Sequence, residues 1–189
     1  MKKILFNSLS AMLIAGVVLV GLNSCKSKKN LSGEVEIVTH CAGTEFQSDA
    51  KAFRYSSIGE SMDQMTAKKK AMSEARAGLA ATINVKVKSV VDNYVKSSNY
   101  NNKEELMKNY EGINREVVDQ VLSGTIVKCE KTTMTKTGTY KYYVCLELGG
   151  NEVLQSLNNR MSNNEQLKVD YNYEKFKKTF EEEMNKMGN

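Results

Sequence analysis

The chain offers few side chains for nucleophilic or metal chemistry. His40 is the only histidine, and Cys41 is its neighbour. Both fall in residues 34–42, which alternate like a strand, so the two side chains point to opposite faces and a Cys–His dyad is disfavoured. The sequence has no Cys-x-x-Cys and no histidine pair, so the ligand spacings of zinc sites are missing. We therefore predict no catalytic, metal-binding or cofactor-binding residue.

Other polar features have structural explanations. The Gly149–Gly150 pair is not followed by the Lys-Ser/Thr that a P-loop needs. Arg54 could contact a ligand, but on a predicted strand we favour its pairing with a carboxylate at the sheet edge. The acidic residues of 104–105 and 181–183 fall on predicted helices, where we expect solvated faces, and the first group also favours the helix dipole.

Cys129 and Cys145 flank a predicted hairpin turn at Lys136–Gly138. Strands paired symmetrically about this turn place the two cysteines opposite each other, with Cβ atoms about 4.5–5.5 Å apart, close to disulfide reach. A register shifted by one residue would group Cys129 with the apolar face of the second strand and separate the pair. A Cys129–Cys145 disulfide is therefore one of two open alternatives. If this disulfide forms, Cys41 remains unpaired and acts as a small buried hydrophobic residue.

Cys25 follows a leader-like start. Two lysines precede a mostly apolar run over residues 4–22, and a Leu-Asn-Ser-Cys tetrapeptide ends at Cys25. A basic start, an apolar core and small residues before a cut site are typical of a secretory signal peptide. The cysteine at the cut position makes this one resemble a bacterial lipoprotein signal. The resemblance implies that residues 1–24 are removed and that Cys25 carries acyl chains such as palmitate. An uncleaved membrane anchor and a plain signal peptide are the alternatives.

The residues after the leader bear on compartment and partners. Residues 25–33 form a short polar tether whose lysines favour anionic lipid headgroups. No acidic run follows Cys25, and in the lipoproteins that this signal resembles such a run accompanies export to the cell surface. We therefore expect an outer-membrane anchor that faces the periplasm. The 189 residues carry 27 Lys plus Arg against 22 Asp plus Glu, too balanced a charge to argue for nucleic-acid binding.

The longest coherent pattern covers residues 61–95. Ser61 and Gln64 match a capping box, and small or apolar residues then recur at four-residue steps. This spacing predicts an amphipathic helix whose buried stripe winds around it. Residues 82–91 are rich in β-branched side chains and alternate, so a strand is the alternative there, although the continued helical spacing favours one long helix. Gly78, costly inside a helix, would allow another backbone to approach closely, but we favour ordinary packing of the helix on the sheet there.

The remaining elements complete an α+β fold. About four antiparallel strands packed by two long helices would form a domain over residues 34–148, with residues 149–189 as a helical extension. Alternation predicts strands over 34–42, 51–58, 125–134 and 139–148, and helical spacing predicts helices over 103–122, 151–160 and 165–187. The last helix either folds back on the sheet or presents a partner surface made of Tyr171, Tyr173, Phe176, Phe180 and Met184.

Three stretches resemble a known family. They are residues 53–61 (Phe-Arg-Tyr-Ser-Ser-Ile-Gly-Glu-Ser), the alanine-stepped helix Ala67–Leu79, and the strand Tyr142–Leu148. Over residues 34–148 the chain resembles the small bacterial outer-membrane lipoproteins of the twenty-kilodalton type, and it is similar to the N-terminal domain of a flagellar assembly factor. The resemblance implies helices on a small antiparallel sheet held by an outer-membrane tether. It provides no catalytic residues to carry over.

These features favour a non-catalytic envelope lipoprotein that acts as a structural, assembly or adaptor component by binding another protein. An envelope enzyme acting on peptidoglycan or lipid is one alternative, but it would need a cleft with paired carboxylates of unequal pKa, and the spacing of the acidic residues predicts none. A surface-exposed antigen or adhesin is the other.

Overall fold

The computed structural model describes residues 37–98, 103–165, 167–168 and 171–188. Residues Val38–Asn189 form one compact unit, the larger of the two into which the chain divides, and of the smaller only Ile37 is described. The predicted leader and Cys25 therefore lie outside the described residues. Within the described ranges, no helix is both long and apolar enough to cross a membrane.

The described residues of the larger unit contain three strands and four helices, which confirms an α+β fold with a small antiparallel sheet. The sheet has one strand fewer than the four expected. The elements are β1 (Ala52–Ser61), α1 (Gln64–Lys96), α2 (Lys103–Val121), β2 (Ile126–Met134), β3 (Tyr140–Gly149), α3 (Gly150–Asn163) and α4 (Tyr173–Met184), with single 3-10 turns at Thr44–Phe46 and Leu122–Gly124.

The strand predicted over residues 34–42 is wrong for the part that is described. Residues 37–39 are irregular, and His40 and Cys41 form a turn. Cys41 has a φ of 55°, in the left-handed region, which is incompatible with an extended ladder. The segment instead crosses the face of the sheet that lies away from α1.

β3 is the central strand, with β1 and β2 antiparallel on either side of it. The symmetric hairpin register holds from Met134 opposite Tyr140 to Cys129 opposite Cys145. Gly138 ends the turn with a φ of 85°, as the three-residue loop requires. A bulge at Lys128 then shifts the register by one residue. The two registers considered from sequence thus both occur, on either side of this bulge.

α1 is one helix of 33 residues, so residues 82–91 are helical. Its buried side chains follow the predicted winding stripe: Ala67, Ala71, Ala75, Leu79, Ile83, Val87, Val90, Val91, Tyr94 and Val95. The predicted capping box is wrong. Asp63 is the N-cap, and its carboxylate accepts the Thr66 N–H at 2.7 Å. Ser61 still belongs to β1, where its hydroxyl accepts from the Asp63 N–H at 3.2 Å.

The backbones of β1 and α1 approach each other closely at Gly59 on β1. A Cβ there would stand 2.1 Å from the Ala67 carbonyl oxygen, so β1 and α1 meet without a side chain between them. At Gly78 the favoured prediction, ordinary packing of the helix on the sheet, is confirmed. A Cβ at Gly78 would stand 2.2 Å from the Tyr55 ring, so the glycine accommodates an aromatic side chain and not a backbone.

The C-terminal helices share the core of the sheet and α1. α4 begins at Tyr173 and not near 165, because Asn172 caps it by accepting the Lys175 N–H at 2.9 Å. Phe176, Phe180 and Met184 are buried in the same core cluster as the α1 stripe. α4 therefore docks on α1, and residues 150–188 are part of the compact unit.

Candidate functional site

A groove of about 370 Å³ lies between α1 and α2. Its floor is apolar and is formed by Val87, Val91 and the buried ring of Tyr110. Met107 and the exposed Val85 form its walls. Methionine is flexible and polarisable, so it adapts to apolar groups of different shape. The groove can therefore accept an apolar side chain.

Two asparagines add polar recognition to this groove. The Asn114 amide nitrogen donates to the Asn84 side-chain oxygen at 3.0 Å, which joins α2 to α1. The Asn114 side-chain oxygen is buried but accepts no hydrogen bond from the described residues. A buried acceptor left unpaired costs about 1–3 kcal/mol, and a donor in the groove would recover this loss once the Asn114 side chain turned its oxygen towards the groove.

The rim of the groove is charged. Lys88 and Arg115 are exposed on α1 and α2, and Glu111 lies one helical turn before Arg115. The two cations outnumber the one carboxylate. This balance favours a partner that carries an acidic group beside its apolar one.

The disulfide considered as one alternative between Cys129 and Cys145 is not formed. Cys129 is bonded to Cys41, with their Cα atoms 5.6 Å apart. Among the cysteines that the structure describes, Cys145 is the free thiol; it is fully buried, and burial raises its pKa. The predicted register is right for the pair, but the turn at Cys41 brings a third sulfur to Cys129. Cys41 is therefore not a free thiol, as it would be if Cys129 were bonded to Cys145.

Arg54 forms ion pairs, as favoured from sequence. Its guanidinium contacts Glu147, its direct partner across β1 and β3, at 2.5 Å and Asp49 at 2.7 Å. It also donates to the Gln47 carbonyl oxygen at 2.8 Å. The hydrogen bond from Arg54 lowers the pKa of Asp49. Burial acts to raise the pKa of Glu147, but the hydrogen bonds from Arg54 and Lys128 outweigh it and the pKa is lowered. This network ties the residues before β1 to the sheet.

The acidic run 181–183 is only partly solvated. Glu181 and Glu182 are exposed, but Glu183 is buried against α1. Its carboxylate accepts hydrogen bonds from the Ser89 hydroxyl and the Asn93 amide, both at 2.8 Å. The expectation of a fully solvated face is therefore wrong at Glu183.

Lysines complete the surroundings of Glu183. Lys86 donates to its carbonyl oxygen at 2.8 Å and approaches its carboxylate at 3.8 Å, and Lys186 also pairs with the carboxylate. Burial acts to raise the pKa of Glu183, but hydrogen bonds from Lys186 and Ser89 outweigh it and the pKa is lowered. These contacts hold α4 on α1.

The partner surface proposed on the last helix is not available. Phe176, Phe180 and Met184 are buried against the body of the protein, while Tyr171 and Tyr173 are half-buried. His40 packs its ring edge-on against Tyr143 at 5.1 Å. The described residues contain no group of three or more His, Cys, Asp or Glu side chains placed to hold a metal ion.

The groove was missed by sequence reasoning because it depends on how α2 approaches α1. One local signal was present. Val85 is an apolar residue off the buried stripe of α1, flanked by the polar residues Asn84 and Lys86. Comparisons with protein-family models, with curated proteins and with solved structures found no match for this chain.

Proposed function

We propose that this chain is a membrane-anchored, non-catalytic lipoprotein of the bacterial envelope that binds a helix of another envelope protein in the α1–α2 groove. The anchor rests on the leader and the cysteine at position 25. The binding role rests on one observation, the apolar groove whose buried Asn114 oxygen lacks a hydrogen-bond donor among the described residues. We infer an outer-membrane location facing the periplasm from the lipoprotein-like leader and from the lack of an acidic run after Cys25.

An amphipathic helix is the occupant that this groove fits best. Grooves between two helices accept the apolar face of a third helix, which inserts one or two side chains as anchors. Here the anchor would pack on Val87, Val91 and Tyr110. An acidic residue one turn away on that helix would meet Lys88 and Arg115. A donor such as a Ser, Thr or Asn side chain would satisfy the Asn114 oxygen.

Site-specific photocrosslinking in intact cells tests the binding role. A photoreactive amino acid at Val85 should give a discrete adduct, whose crosslinked peptide maps by mass spectrometry to an amphipathic segment of an envelope protein. The same reagent at Ile126, another exposed apolar position on β2, should not give that adduct. Charge reversal by Lys88→Glu with Arg115→Glu should abolish it. Equal adducts from both positions, or an adduct that survives the reversal, would refute the groove as the site.

The anchor has its own test. Labelled fatty acid should enter the wild-type chain and not a Cys25→Ala variant. If the variant still takes up label, or the wild type takes up none, Cys25 is not the lipidated residue.

A further inference from the structure

Three exposed methionines lie at one end of the protein. The three strands end there in a common row, in which Ser61, Tyr140 and Met134 are paired across the sheet. Met62 follows this row, and its sulfur accepts from the Thr139 hydroxyl at 3.5 Å. Met65 lies in the first turn of α1. The exposed fractions are 70% for Met62, 59% for Met65 and 62% for Met134. We name this group, with the turn 135–139, the methionine tip.

The methionine tip is bordered by cations. Lys136 is exposed in the hairpin turn, and Lys69 is exposed one helical turn after Met65 on the same face of α1. The acidic groups nearby are already engaged. Glu60 pairs with Lys141 at 2.7 Å, and Asp63 caps α1. Exposed apolar groups beside basic ones suit an anionic lipid surface, where the first reach the acyl boundary and the second meet the headgroups.

The segment before β1 runs over one face of the sheet, away from this end. His40 packs on Tyr143, close to the hairpin turn. Further along, the Phe46 carbonyl oxygen lies 3.7 Å from the Cys145 sulfur, and the Gln47 carbonyl oxygen accepts from Arg54 near the far end of the sheet. The segment thus runs from the methionine tip towards the opposite end. Val38, two residues before His40, is 85% exposed.

The length of the tether limits the distance to the lipid anchor. Thirteen residue steps separate Cys25 from Val38 and span at most about 45 Å when fully extended. α1, with 33 residues, carries its far end about 50 Å away from its start at the tip. A tether that joins the unit beside His40 therefore needs the least extension when the methionine tip, and not the far end of α1, faces the bilayer.

We propose that the methionine tip rests on the bilayer that holds the acyl chains, with Met62, Met65 and Met134 at the acyl boundary and Lys69 and Lys136 on anionic headgroups. This inference rests on the proposed lipid anchor at Cys25. It fixes the orientation of the unit, so that the α1–α2 groove faces away from the membrane and stays open to a partner.

Tryptophan fluorescence tests the orientation cleanly because the chain contains no Trp. The acylated full-length Met134→Trp variant is reconstituted in phosphatidylglycerol-containing vesicles with brominated acyl chains, which quench indole by contact. The matched control is Ile126→Trp, which is 57% exposed at the other end of the same strand, about 26 Å away. Met62→Trp provides a second reporter at the tip. We expect the tip reporters to lose about half of their fluorescence, since interfacial side chains lie about 5–10 Å into the acyl boundary, and the control to lose little.

A Lys69→Glu with Lys136→Glu variant should reduce this quenching, and so should replacing the anionic lipid by phosphatidylcholine. Equal quenching of Met134→Trp and Ile126→Trp in protein that floats with the vesicles would overturn the orientation while leaving the anchor intact. Acylation-dependent flotation is measured on the same samples. Its absence would refute the anchor, and the orientation would fall with it.

Discussion

Cys129 and Cys145 lie directly opposite each other on β2 and β3, yet the sulfur of Cys129 is bonded to Cys41. The free Cys145 is buried under the segment that Cys41 fastens to the sheet, and its sulfur lies 3.7 Å from the Phe46 carbonyl oxygen of that segment. A disulfide and a thiol thus lie on one face of the sheet, with the thiol across the ladder from one bonded sulfur. This arrangement permits thiol–disulfide exchange without an external oxidant.

The first prediction concerns this exchange. The Cys145 thiolate would attack the Cys129 sulfur, a Cys129–Cys145 bond would form, and Cys41 would leave as a thiolate that takes up a proton. Burial raises the pKa of Cys145, so the thiol stays protonated at neutral pH and we expect the exchange to be slow there. At alkaline pH, peptide mapping after alkylation should show label moving from Cys145 to Cys41. A Cys145→Ser variant should retain the Cys41–Cys129 bond throughout, and label moving to Cys41 in that variant would contradict the proposed route.

The second prediction concerns acid stability through Arg54. Replacing it by Met removes the partner of Glu147 and Asp49, and we expect a loss of about 2–3 kcal/mol in the free energy of unfolding at neutral pH. The pKa values of both carboxyls are lowered in the folded state. Their stabilisation is therefore present above the unfolded-state pKa and is lost as the pH falls through the folded-state pKa. Urea unfolding of Arg54→Met should accordingly depend less on pH in the acid range than that of the wild type.

The control for this measurement is Arg160→Met. Arg160 pairs with Glu116 at 3.2 Å, but both side chains are largely exposed, so the change should cost less than about 1 kcal/mol. Equal losses from the two arginine variants would show that the Arg54 network adds nothing beyond a surface ion pair.

The third prediction concerns Glu183, whose carboxylate is held by Ser89, Asn93 and lysines. A Glu183→Ala change leaves the half-buried Lys86 without this carboxylate, and we expect a loss of about 2–4 kcal/mol and loosening of α4. Limited proteolysis reports on the docking, because a helix held on the body protects the chain near 163–164. Glu182→Ala, at an exposed neighbour, should leave the cleavage rate unchanged. Equal protection from proteolysis in both variants would show that Glu183 does not hold α4 on α1.

The sequence predicted those parts of the fold that are determined by residues close together in the chain, namely the buried face of α1 and the hairpin register near the turn. The stripe from Ala67 to Val95 follows from helical spacing alone, and the register near Gly138 follows from the turn. The bulge at Lys128 has no such local cause. Its effect is to keep Cys129 opposite Cys145 while Val127 pairs with Leu146. The Cys41–Cys129 bond closes a sequence separation of 88 residues, and no spacing rule identifies a partner at that distance.

The site was harder to predict than the fold. The groove exists because Asn84 and Asn114 join α1 to α2 over a space that the side chains do not fill. These two residues are 30 positions apart in the sequence, so no local pattern brings them together. The sequence did indicate that Glu183 is buried, but its position in a run of three acidic residues led us to predict a solvated face. Glu183 lies seven residues after Phe176 and three after Phe180, on the buried face of α4. A charge at a stripe position indicates a buried partner on the neighbouring helix.

The fourth prediction contrasts two helical glycines. Gly112 is exposed on α2, and a Cβ there would meet nothing within 4 Å. Gly112→Ala should therefore raise the free energy of unfolding by about 0.5–1 kcal/mol, the usual gain in helix propensity. Gly78→Ala provides the same gain, but its Cβ would overlap the Tyr55 ring, and overpacking of this kind costs about 1–3 kcal/mol. Urea unfolding should show a rise for the first variant and a fall for the second. A Gly78→Ala variant as stable as Gly112→Ala would mean that Tyr55 moves aside without cost, and a Gly78→Ala, Tyr55→Ala double variant measures this coupling directly.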